Sequence, residues 1–133
     1  MPSSIFEHCN TIEECYEFML AYAAQGRVSD KGDQPGGQIR EFLQRAATSI
    51  AALTVECPKV VKDGRLHPAE KYQAFVAVLD RDARSALAAI DLVLAQSSIS
   101  SQLVDNLNAS IHLRALVTDL FLFSEILRGS AAP

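Results

Sequence analysis

Tryptophan is missing from the chain altogether, and phenylalanine and tyrosine bring the aromatic share to only 7%. A core without large ring systems must be filled by Leu, Ile, Val and Ala, a composition that suits helices. Cysteine is scarce as well. Cys9, Cys15 and Cys57 are odd in number and lack Cys-x-x-Cys spacing, which argues against a disulfide framework and a zinc knuckle and predicts reduced, buried thiols in the cytoplasm. No segment offers the ~20 apolar residues of a membrane span. The opening Met-Pro-Ser-Ser-Ile-Phe-Glu-His has no basic region followed by an apolar run, so it does not read as a secretory signal. Basic charge is also in short supply: 12 Lys and Arg against 16 Asp and Glu leave a formal charge of −4. Such a field repels phosphate backbones and anionic lipid surfaces. The expectation is a cytoplasmic protein with no nucleic-acid and no membrane partner.

What is present is the material of one helical domain. The 133 residues are 49% hydrophobic and 21% charged, enough to bury a core without a metal or a disulfide. A single domain over residues 1–133 is expected, with an N-terminal arm over 1–10 and a frayed tail over 129–133. The first helix is placed at about Thr11 to Gln25: Asn10-x-x-Glu13 and Thr11-x-x-Glu14 have capping-box spacing, and Ile12, Cys15, Met19, Tyr22 and Ala23 form an apolar stripe. Gly26 to Gly37 reads as a long, polar, mobile loop. Ile39, Phe42, Leu43, Ala46, Ile50 and Leu53 mark a second helix ending near Glu56, before Pro58.

After a second connection over residues 57–67, Pro68 suits the first turn of a third helix. Tyr72, Phe75, Val76, Leu79, Ala83, Ala86, Leu87, Ile90, Val93 and Leu94 hold one face of it. Ser97-Ser-Ile-Ser-Ser101 can cap a fourth helix that runs to about Arg128, with Gly129 as its stop. Along that helix Ile99, Leu103, Leu107 and Ile111 face one way, and Leu113, Leu116, Leu120 and Leu127 another. The ordinary drift of ~20° per heptad is too small to explain the change, so a kink, a break or a change of packing partner is expected near Asp105 to Asn108. The predicted fold is all-α, an antiparallel up-and-down four-helix bundle. Its third and fourth helices make a long hairpin, and a shorter first pair packs along it.

Chemistry-bearing patterns are few. No Glu-x-x-His occurs, so a di-metal carboxylate centre is not predicted. No nucleophile elbow or phosphate-cradling loop orders the serines, thiols and histidines. His8 and Cys9 with Cys15 form the sole grouping of metal-ligand types, and it reads as packing; no metal, cofactor or catalytic set is predicted. A polar strip of Asp105, Asn108, His112 and Asp119 lines the fourth helix. His112 on such a helix resembles histidine phosphotransfer domains in size and helix content, but the lysine and glycine that follow the histidine there are absent from His112-Leu-Arg-Ala-Leu116. Lys59, Lys62 and Arg65 make a basic loop. Finally, Leu113, Leu116, Leu120, Phe121, Leu122, Phe123 and Ile126 leave the fourth helix a narrow polar face, the mark of a helix central to the core or docked on another chain.

The leading expectation is therefore a non-catalytic protein-interaction protein, an adaptor, assembly factor or chaperone-like bundle acting as a homodimer. The alternatives are a bundle that holds a small apolar molecule near Phe75, Phe121 and Phe123, and phosphotransfer through His112.

Overall fold

The computed structural model describes residues 3–32 and 34–131, and the side chains of all of these but residues 3, 34–36, 130 and 131. Within that range the chain is all-helical, with no strand: α1 (Ser3–Ala24), α2 (Gln34–Asp63), α3 (Ala69–Leu94), α4 (Ser101–Ala109) and α5 (Ile111–Ala131). No helix among the described residues is long and apolar enough to cross a membrane.

Helix α1 begins well before Thr11. Ile5, Cys9, Ile12, Cys15, Met19 and Tyr22 recur at steps of three and four and are all buried, so one stripe runs through what the capping pattern marked as an arm. Thr11 does not cap; its Oγ1 donates back to the Glu7 carbonyl at 3.0 Å, an interior helical bond. Met1 and Pro2 lie outside the described residues.

Helix α2 carries the expected buried stripe of Ile39, Leu43, Ala46, Ile50 and Leu53, then continues past Glu56 through Pro58. Pro58 removes one backbone hydrogen bond, but Cys57 and Val61 keep to the buried stripe and their burial offsets that loss. The true stop is a Schellman turn. Leu66 N–H donates to the Val61 carbonyl and Arg65 N–H to that of Lys62, both at 3.3 Å, and Arg65 takes the left-handed position with φ 50° that glycine usually fills. At 30 residues α2 is longer than α3 with 26, so the expected short first pair is not found.

Helix α3 buries Val76, Leu79, Ala83, Ala86, Ile90 and Val93, with Pro68 as its N-cap. The expected fourth helix is broken at Ser110, just beyond Asn108, where the backbone is extended at φ −63° and ψ 139°. A serine starts each piece: Ser100 Oγ accepts from Leu103 N–H at 3.0 Å and Ser110 Oγ from Leu113 N–H at 3.4 Å. Gly129 does not stop α5, which reaches Ala131. Helix α1 lies against α2, α4 and α5, and α3 lies against the same three helices. Leu53, Leu79, Ile90, Leu116 and Phe123 fill the space between them.

The stretch expected as a mobile loop is pinned. Asp30 is only 6% exposed; its carboxylate accepts from Arg40 Nε and from Ile99 N–H, both at 2.7 Å. Arg40 also donates to the carbonyls of Leu94 and Gln96. Ser101 Oγ donates to the Tyr22 carbonyl and accepts from Arg27 N–H, and Tyr22 Oη donates to the Ile99 carbonyl. Buried polar groups demand partners, and these two connections supply them to each other.

Candidate functional site

The seven apolar candidates of α5 divide cleanly. Leu113, Leu116, Leu120 and Phe123 are core, and Phe123 stacks at a tilt on Phe75 of α3 with ring centroids 6.1 Å apart. Phe121, Leu122 and Ile126 are 52%, 51% and 40% exposed. Phe121 borders the cleft toward α1, beside Glu13 and Glu17. Leu122 and Ile126 stand on the other flank, in one row with Ile111, Ala115 and Asp119. Across the seam, Val78, Ser85 and Leu92 repeat at steps of seven along α3, and Leu92 is 66% exposed.

The polar strip is split by the break at Ser110. Asp105 is exposed on α4, while Asn108 is buried and its Nδ2 donates to the Met19 carbonyl at 3.1 Å, tying α4 to α1. His112 is exposed on the first turn of α5, with no side-chain hydrogen bond or ion pair among the described residues. Asp119, half-buried, faces Asp82 of α3. Its Oδ2 is buried and finds no hydrogen-bond partner among the described residues. Burial foremost, then the hydrogen bond and charge of Asp82, push the Asp119 carboxyl up to about 7, well above the ordinary carboxylate range. Asp82 could have been singled out from sequence, because Val78 and Ala86 flank it at steps of four on a half-buried face.

A second cluster escaped sequence reasoning because its members lie 41 to 52 residues apart. His8 Nδ1 is 3.3 Å from Ser49 Oγ, His8 Nε2 is 3.1 Å from Glu56 Oε2, and Ser4 Oγ donates to Glu56. The hydrogen bond from Ser4 chiefly, with the His8 charge and hydrogen bond assisting against burial, holds Glu56 below the usual carboxylate range. Serine, histidine and glutamate have the composition of an acyl-transfer triad. Ser49 is only 5% exposed in the middle of α2, and helix amides already bonded along the axis cannot form an oxyanion hole. The cluster fastens α1 to α2. Nearby, burial pushes the Cys9 thiol up to about 11 and the Cys57 thiol up to about 12, which keeps both protonated and poor as ligands or nucleophiles. Among the described residues no group of three or more His, Cys, Asp and Glu could hold a metal ion.

The basic residues meet at the end of the molecule where α2 turns into α3. Lys59 and Lys62 stand on the last turns of α2, not on a loop, and Arg65 on the Schellman turn. Lys62 and Arg65 overlook a groove of about 760 Å³ whose walls include Val61, Leu66, Ala69, Val76 and Ala77. Phe75, Phe121 and Phe123, around which a ligand cavity was expected, do not line it.

Compared with family models, with curated proteins and with solved structures, the chain matches none.

Proposed function

We propose that this chain is a non-catalytic protein-interaction module that works as a homodimer. In this reading α4 and α5 together serve as the interrupted fourth member of an antiparallel up-and-down four-helix bundle. The arrangement is supported by α1 and α3 each flanking both α2 and the α4 and α5 pair.

The observation that carries the reading is the outer seam of α3 and α5. Leu92 of α3 and Ile111, Leu122 and Ile126 of α5 are exposed, and Val78, Ser85 and Ala115 of the same two contacting helices are half-buried. Exposed apolar residues that recur along one helix face are what helices present to other helices. The 21 residues of α5 span about 30 Å, and two helices side by side are about 20 Å across. The face therefore offers on the order of 600 Å² per copy, enough for a small two-fold interface.

Sedimentation equilibrium tests this. The wild type is expected to be a dimer, and Leu122→Glu or Ile126→Glu a monomer with unchanged far-ultraviolet circular dichroism, since both side chains are solvent-exposed in one copy. A wild type that stays monomeric up to millimolar concentration overturns the reading.

A further inference from the structure

We infer that the groove at the corner of α2 and α3 binds a single-chain anionic amphiphile, a carboxylate head on an alkyl tail. This site is separate from the proposed dimer face.

Three observations carry the assignment. First, the walls are largely apolar: Pro58, Val61, Leu66, Ala69, Val76 and Ala77, interrupted by His67 and Gln73, line about 760 Å³, a volume typical of small-molecule sites and large enough for an extended alkyl chain. Second, the rim is cationic without internal compensation. Arg40, Arg45, Arg84 and Arg128 each pair with a carboxylate elsewhere, but Lys62 and Arg65 meet none among the described residues. The carboxylate that does line the groove, Asp80, is engaged by Arg84 at 2.9 Å. In an acidic protein of net charge −4, this is a local reversal of sign, and it selects an anion. Third, Arg65, which lines the groove, is held at φ 50° by the two backbone bonds of the Schellman turn, at a conformational cost that glycine would avoid. A guanidinium offers a carboxylate two parallel donors, and the ammonium of Lys62 adds a second positive charge. Burying the tail against the walls contributes roughly in proportion to the apolar area covered.

Isothermal titration with laurate and with dodecanol, both below the concentration at which laurate forms micelles, reads each part separately. The wild type is expected to bind one laurate saturably and dodecanol at least about tenfold more weakly, the loss of one charge-assisted hydrogen bond. Arg65→Gly should bind laurate about tenfold more weakly without losing thermal stability, which separates loss of the head contact from loss of the fold. Ala77→Leu, on an exposed helix position, should weaken both ligands by filling the groove. Absence of saturable laurate binding by the wild type overturns the assignment, as does equal affinity for dodecanol, or an Arg65→Gly affinity equal to that of the wild type.

Discussion

Asp30 sits among glycine and serine, yet its carboxylate is withdrawn from water and answered by Arg40 and the Ile99 amide. Burial alone would raise its pKa; the Ile99 amide and then Arg40 overcome that and hold it below the usual range. A depressed folded pKa contributes stability above the unfolded value that is lost as pH falls through the folded one. Asp30→Ala should cost about 3 kcal/mol, because it strands Arg40 and the Ile99 amide, a loss to be read from urea unfolding near neutral pH. Asp119 has the opposite sign. Its folded pKa of about 7 lies above the ordinary 3.8, so its contribution is complete below the unfolded pKa and disappears as pH rises through about 7. Unfolding midpoints are expected to rise on acidification from about pH 8 to about pH 5. Asp119→Asn should flatten that part of the profile and raise the midpoint at the alkaline end; an unaltered slope in the variant rules out the raised Asp119 carboxyl.

At the level of the elements, the turn after α2 gives a paired test. A left-handed arginine costs about 1–2 kcal/mol, partly offset by the greater unfolded freedom of glycine, so Arg65→Gly should stabilise by about 0.5–1 kcal/mol. Gly64→Ala should destabilise, since an added Cβ would come within 2.7 Å of the Val60 carbonyl oxygen. Thermal unfolding of the two variants should move in opposite directions. The stripes that define α2 and α3 were legible in the sequence because Ile39, Leu43 and Ile50, or Leu79, Ala86 and Ile90, obey the helical period without interruption. The ends were less so. The start of α1 was masked by a plausible capping pattern at Thr11, although Ile5 and Cys9 already continued the stripe. The passage through Pro58 depends on the burial of Val61, which only packing decides. The break in the last helix was visible as a change of face, and its position was set by Ser110, whose role as a cap competes with helix in a way that period alone does not display.

For the whole molecule, the proposed dimerisation through α3 and α5 should make the melting temperature rise with protein concentration. Leu122→Glu should remove that dependence, and a midpoint that stays fixed in the wild type over a hundredfold range of concentration would count against the dimer. The apolar half of the candidate interface was readable from sequence, but its division into Phe121 beside α1 and Leu122 and Ile126 on the other flank was not, because it depends on how the neighbouring helices pack. The groove at the other corner was announced only by its basic residues. The polar knot of Asp30, Tyr22, Ser101 and Asn108 has a temporal consequence. Its bonds from Asp30 to Ile99, Tyr22 to Ile99, Ser101 to Tyr22 and Asn108 to Met19 join positions 69 to 89 residues apart, and such long loops close late. As the chain is made from its N-terminus, α1 and α2 can pair early through their own stripes. Asp30 must wait for the residues around Ile99, so the charged end of the first half stays open to water until the second half arrives to close it.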